Sequence, residues 1–101
     1  MIFAALDEAA RRDELLLVDG GLCRYHMRND GVVVIREILV LPEFREQGIG
    51  QAMIDRIRYR HVGHMLRARC PEVYPANGFW KAMGFVLVGT VKGVNVWERP
   101  D

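Results

Sequence analysis

The hydrophobic pattern divides the chain into short segments of either two-residue or helical period. Ile2, Leu6, Ala9 and Ala10 fall on one side of a short amphipathic helix over residues 2–12, with Arg11-Arg12 at its C-terminal end, where cations suit the dipole. Glu14 to Val18 reads as a short apolar strand stopped by Asp19-Gly20-Gly21. From Leu22 to Arg28 the alternation is clean: Cys23, Tyr25 and Met27 share one face, and Leu22, Arg24, His26 and Arg28 share the other. Asn29-Asp30-Gly31 is a turn signal that folds this strand against the apolar run Val32–Leu41. That run has the length and branching of a buried strand, and Pro42 ends it because proline has no N–H for the ladder.

Ile49, Met53 and Ile57 then recur every fourth position, which predicts a helix to about Val62 with Gly63 as its stop. Gln51, Asp55, Arg56, Arg58 and Arg60 fall on its outer side. His64–Cys70 is short and β-like, followed by Pro71. Pro75 suits the first turn of a second short helix, Ala76–Met83, closed by Gly84. Strands Phe85–Val91 and Val94–Glu98 follow, joined by Lys92-Gly93. The order α-β-β-β-α-β-α-β-β predicts an α/β layer with a mixed sheet. Only the strands on either side of the middle helix have to be parallel.

Composition narrows this picture. A length of 101 residues is one domain with a single core, and 50% hydrophobic with 27% charged residues is ordinary for a globular chain. With 14 Lys plus Arg against 13 Asp plus Glu there is no global field to suggest a nucleic-acid partner. No aromatics interleave Arg56, Arg58, Arg60 and His61 at a useful spacing, and a solvated helix end explains them more simply. Cys23 and Cys70 have no metal-like spacing and no His/Cys company, so both are expected to be free, buried thiols in a reducing compartment, with no metal site. The N-terminal apolar stretch is too short for a signal peptide and runs into Asp7 and Glu8, and no run reaches membrane-spanning length. A cytoplasmic chain with no membrane partner is expected.

The stretch with chemistry in it is Glu37 to Ile54. A strand, a turn holding Arg45, Gly48 and Gly50, and a helix start follow one another, and that order makes an oxyanion cradle. The unpaired N–H groups of the first helical turn point outward, the helix dipole adds partial positive charge, and glycine lets an anion approach the backbone. There is no Lys-Ser/Thr after the glycines and no G-x-G-x-x-G, so neither a P-loop nor a dinucleotide loop is present. The bland alternative is a strand-to-helix connection whose glycines serve only tight packing.

Arg45-x-x-Gly48-x-Gly50 after Val40-Leu41-Pro42 resembles the acetyl-CoA signature of the GCN5-related N-acetyltransferase (GNAT) family. Ala76-Asn-Gly-Phe79-Trp80-Lys-Ala-Met-Gly84-Phe85 matches that family's second recurring helix at every spacing. The resemblance covers roughly residues 14–98. It implies a GNAT-like acyl-CoA N-acyltransferase fold, with acetyl-CoA lying in a wedge where the central strand and the next one splay. Backbone at Leu39 and Val40 would pair with pantetheine amides, and N–H groups across Gln47, Gly48, Ile49, Gly50 and Gln51 would hold the pyrophosphate. It further implies transfer of an acetyl group to a primary amine by direct attack. Two departures stand out. Trp80 occupies the place of a tyrosine that often protonates the leaving thiolate, and indole N–H is not a general acid. The chain also has no room for the family's usual first strand and helix, so the fold is expected to be N-terminally shortened. The edge at Glu14–Val18 is then open to a partner chain such as a second copy.

Each candidate has a plainer reading beside it. Arg45 turns toward phosphate or is a surface arginine. Glu37, inside an apolar strand, is a general base for the amine or a structural ion pair with Arg24, His26 or Arg28. Trp80 packs beside the thioester or is core, and Asn77 touches pantetheine or caps its helix. Tyr74 is a substitute acid or a surface tyrosine. Cys70 is an acyl acceptor without an identifiable base, or a buried thiol. At the level of the whole chain, the alternatives to an N-acetyltransferase are a non-catalytic acyl-CoA-binding or protein-interaction module on the same fold, and a subunit whose acceptor site a partner completes.

Overall fold

The computed structural model describes residues 14–100. The expected helix over residues 2–12 lies outside them. Six strands form one mixed sheet in the order β1-β2-β3-β4-β6-β5: β1 Leu15–Val18, β2 Gly21–Met27, β3 Val33–Val40, β4 Leu66–Pro71, β5 Val86–Val91 and β6 Val94–Arg99. Helix α1 (Ile49–Arg60) joins β3 to β4, and α2 (Ala76–Ala82) joins β4 to β5. This is the expected α/β mixed sheet. Only β3 and β4 run parallel, as the crossover through α1 requires. Helix α1 ends at Arg60, short of the predicted Val62, and Gly63 follows in the left-handed region at φ 88°.

The hairpins follow from their turn residues. Gly31 N–H donates to Arg28 O at 3.0 Å, and Asp30 Oδ1 accepts from Val32 N–H, closing the β2–β3 turn. Lys92 and Gly93 both take positive φ, 52° and 78°, the geometry a two-residue hairpin needs to match strand twist. Gly20 sits at φ 80°, and a Cβ there would run into the Phe44 ring. The β1–β2 turn is therefore seated against the short 3-10 turn Pro42–Phe44 that leads into α1.

The alternation read in β2 places Cys23 and Tyr25 in the core with Val33 and Ile35 of β3. Met53, Ile54 and Ile57 of α1 are fully buried against them, and Trp80 of α2 stacks edge-on between Phe79 and Phe85. One core cluster thus includes both helices, and both cover the same face of the sheet. The opposite face, called outer below, carries ion pairs: Arg24–Glu37 at 2.7 Å and Arg67–Glu98 at 2.6 Å.

Pairing between β2 and β3 slips by one residue. Arg24 faces Glu37 but Tyr25 faces Ile35, leaving Arg36 as an extra residue on β3. This bulge keeps Ile35 and Ile38 both toward the core and turns Glu37 outward, opposite Arg24. Among the described residues no helix is long and apolar enough to cross a membrane.

The core face of α1 should dominate stability. Ile57→Ala is expected to cost about 2–5 kcal/mol in urea unfolding, through lost burial and the cavity left behind. Tyr59→Ala, two positions along on the exposed side, should stay within about 0.5 kcal/mol. Equal costs would contradict this assignment of faces.

Candidate functional site

Parallel pairing between β3 and β4 lasts for three residue pairs, Val33–Leu66, Val34–Arg67 and Ile35–Ala68, and then stops. Beyond it β3 stays with β2 and β4 stays with β6, so the two strands diverge. The gap opens as a cleft of about 660 Å³ that runs from β3 and β4 to the head of α1 and to Phe79 and Trp80 of α2.

Part of the backbone along this cleft has no strand beside it. Leu41 N–H donates to Gly20 O at 2.8 Å, on the β2 side. Two-residue alternation therefore turns the main-chain polar groups of Leu39 toward β2, and those of Ile38 and Val40 toward the gap. Val40 O is taken by Arg45 Nε at 3.0 Å. Ile38, which the sequence reading passed over, thus presents main-chain N–H and C=O to the cleft. Strand alternation combined with the turn bond at Leu41 is the signal that locates it.

At the far end, Gly48 is the N-cap of α1 in the left-handed region, φ 79°, with no side-chain cap. Ala52 N–H bonds back to Gly48 O at 2.9 Å. The N–H groups of Gly48, Ile49, Gly50 and Gln51 meet no acceptor among the described residues, and all four residues line the cleft. The two glycines have different reasons. A Cβ on Gly48 would meet nothing within 4 Å, so that position needs glycine for its backbone angle. A Cβ on Gly50 would come within 2.8 Å of the Phe79 ring, so that position lets α1 and α2 approach. The cradle and tight-packing readings of the glycines describe different residues.

Of the other expected residues, Glu37, Leu39, Val40, Arg45 and Trp80 line the cleft, while Gln47 and Asn77 do not. Gln47 Nε2 donates to Glu43 O at 3.3 Å. Asn77 is a bracket rather than a helix cap. Its Nδ2 donates to Pro71 O at 2.9 Å and Tyr74 O at 2.8 Å, and its Oδ1 accepts from Trp97 Nε1 at 2.8 Å and Asn95 Nδ2 at 3.1 Å. It ties the 71–75 loop, which forms one cleft wall, to β6. Trp80 is only 5% exposed and is core and cleft lining at once. Tyr74 lines the cleft and is 56% exposed.

Glu37 resolves toward the first of its three ion-pair candidates. Oε1 accepts from Arg24 Nη2, the side chain is 37% exposed, and Oε2 has no partner among the described residues. The carboxylate is therefore partly solvated, which an unbroken apolar strand would not allow; the bulge at Arg36 is what turns it out. His26 pairs instead with Glu14, and Arg28 with Asp30. Burial pushes the Cys70 thiol above its ordinary range and the Cys23 thiol up to about 12. Both are free and buried, and neither is poised as a thiolate. Among the described residues no three His, Cys, Asp or Glu side chains gather to hold a metal.

This geometry has relatives. The family model described as acetyltransferase (GNAT) domain matches residues 2–87. An uncharacterized N-acetyltransferase of Bacillus pumilus (strain SAFR-032) is 32% identical over 98 residues, covering 91% of this chain and 59% of that protein. An acetyltransferase from Thermus thermophilus shares the fold with a TM-score of 0.77 at 20% identity, over 86% of this chain and 62% of the other. Arabidopsis thaliana Naa50, solved in complex with the bisubstrate analogue CoA-Ac-MVNAL, gives a TM-score of 0.62 at 18% identity, over 80% and 65%. The chain thus spans about three fifths of the curated relative's length.

Two outcomes test these placements. Gly50→Ala should destabilise by about 1–3 kcal/mol through overpacking, and Phe79→Leu in the same chain should recover part of that loss; purely additive costs would contradict the contact. In alkylation with iodoacetamide at pH 8, both thiols should react at least roughly tenfold more slowly folded than in urea, because a raised pKa leaves less thiolate. A Cys70 that reacts equally fast in both states would place it in a different environment.

Proposed function

This chain belongs to the GNAT acetyltransferase family, and we propose that it binds acetyl-CoA in the β3–β4 cleft and acetylates a primary amine by direct attack. The observation that carries this reading is the set of four unsatisfied amides, Gly48 to Gln51, at the N-terminus of α1, opening into the same cleft as the free edge of β3. A diphosphate fits such a terminus because the N–H groups and the helix dipole both favour an anion. Arg45, fixed through Nε to Val40 O, keeps its terminal nitrogens for a phosphate oxygen. The outward-turned groups of Ile38 and Val40 suit the two amides of a pantetheine arm, which would lie there as an added strand.

Acetyl-CoA supplies an activated thioester, so this chain's residues have only to position an amine and take its proton. Glu37 is the acceptor for that proton. Arg24 fixes one carboxylate oxygen and leaves the other toward the cleft. Trp80 closes the apolar side of the cleft and excludes water near the thioester. The return of a proton to the CoA thiolate falls to Tyr74 or to solvent, since indole N–H is not a general acid. Two free thiols accord with a cytoplasmic setting, and a second copy over an edge strand would make a homodimer.

One observation favours a second reading, a non-catalytic acyl-CoA-binding module: α2 offers an indole to the cleft, with no hydroxyl on that helix. Calorimetry and a thiol-release assay separate the two. Acetyl-CoA is expected to bind, and Glu37→Gln to leave its Kd within about twofold while lowering amine turnover about 10²-fold. Unchanged turnover would remove Glu37 as the base. Binding without turnover of any amine would favour the second reading, and no binding at millimolar cofactor would end both.

A further inference from the structure

The crotch of the cleft carries charge outside the set of residues assigned above to the acetyl donor. The last residues paired between β3 and β4 are Ile35 and Ala68, both buried, and the next residue on each strand is an arginine, Arg36 and Arg69. Both arginines are exposed and line the cleft, and neither has an ion-pair or hydrogen-bond partner among the described residues. Their neighbours on the outer face are already neutralised, Arg24 by Glu37 and Arg67 by Glu98. Among the described residues the local balance is therefore two unmatched guanidinium groups beside one carboxylate, which Arg24 holds by a single oxygen.

Their position argues against a phosphate of the donor. From Arg36 to Val40 the strand advances by about 13 Å, so these groups stand at the opposite end of the β3 edge from the α1 amides. Where the strands still pair, their backbones lie roughly 5 Å apart, so the two arginines start as close neighbours. Guanidinium groups so placed form a two-sided clamp for a planar carboxylate. Glu37, on the same face and next in sequence to Arg36, stands where the amine of such a molecule would come.

Resting on the acetyltransferase reading above, we propose that the acceptor is an amine that also bears a carboxylate, an α-amino acid or a compound of that type. Arg36 and Arg69 bind the carboxylate on the outer face and present the amine to Glu37 and the thioester. A polycation such as spermidine would meet two unmatched positive charges and is disfavoured.

The test pairs α-amino acids with their own carboxamides, with spermidine as the cationic control, in a thiol-release assay alongside calorimetry of acetyl-CoA. The acid of at least one pair should exceed its carboxamide by roughly tenfold or more in kcat/KM, as expected for a charge-assisted bidentate contact. In Arg36→Gln/Arg69→Gln that ratio should fall toward one while the Kd for acetyl-CoA moves less than about twofold. Carboxamides or spermidine turned over as well as the acids would overturn the inference and leave the acetyltransferase reading standing. Loss of acetyl-CoA affinity in the double variant would overturn it too, by assigning the arginines to the donor. A wild-type chain that binds no acetyl-CoA would remove the reading beneath it. If no amine is turned over, N-acetyl amino acid titrated into the CoA-loaded chain decides: binding that the double variant loses supports the clamp, and no binding overturns it.

Discussion

Backbone N–H and C=O groups inside a protein are almost always paired, and a strand that leaves its neighbour in mid-sheet has to answer for the groups it uncovers. That constraint governs this chain. β3 is paired on both sides only as far as Ile35, and then loses β4 while keeping β2. The uncovered edge at Ile38 and Val40 is met partly by Arg45, and the amides at the head of α1 lie along the same opening. Two sets of unsatisfied main-chain donors facing one cleft are stable only where water or a ligand of matching length completes them. The separation of β3 from β4 thus leaves an open edge in mid-sheet, with the length and donors that an extended, hydrogen-bonding molecule would need.

The same seam divides the chemistry between two faces. On the helix side, Phe79, Trp80 and Ile49 make an apolar wall, and the close approach of Phe79 to Gly50 sets how near the two helices stand. On the outer side the bulge at Arg36 changes the register, so that Glu37 leaves the core face and meets Arg24. A straight β3 would bring Glu37 onto the side occupied by Ile35, against the core. One inserted residue therefore places a carboxylate at the mouth of the cleft and sets Arg36 beside it.

Much of this was legible in the chain. The alternation Cys23, Tyr25 marked the core face of β2, the recurrence of Ile49, Met53 and Ile57 marked that of α1, and Asn29-Asp30-Gly31 and Lys92-Gly93 marked two of the three hairpins, while Asp19-Gly20-Gly21 read only as the end of a strand. Gly48 and Gly50 stood out by spacing, although spacing could not say that one serves a backbone angle and the other a ring contact. What remained hidden depends on partners distant in sequence. The bulge is a relation between β2 and β3 that neither strand shows alone. Asn77 reads locally as a helix-start residue, yet its bonds run to the 71–75 loop and to Trp97, twenty residues on. The insertion of β6 between β4 and β5 is likewise a choice of neighbours that periodicity does not encode.

On the function proposed, the amides opening α1 and the freed edge of β3 receive the diphosphate and pantetheine of a coenzyme A thioester. Residue-resolved amide NMR during titration with CoA reads those groups one by one. The largest shifts should fall on Gly48, Ile49, Gly50 and Gln51, with a second group at Ile38 and Val40, while Tyr59 and the β5–β6 turn stay still. Saturable binding that moves other amides and leaves those six unchanged would contradict it.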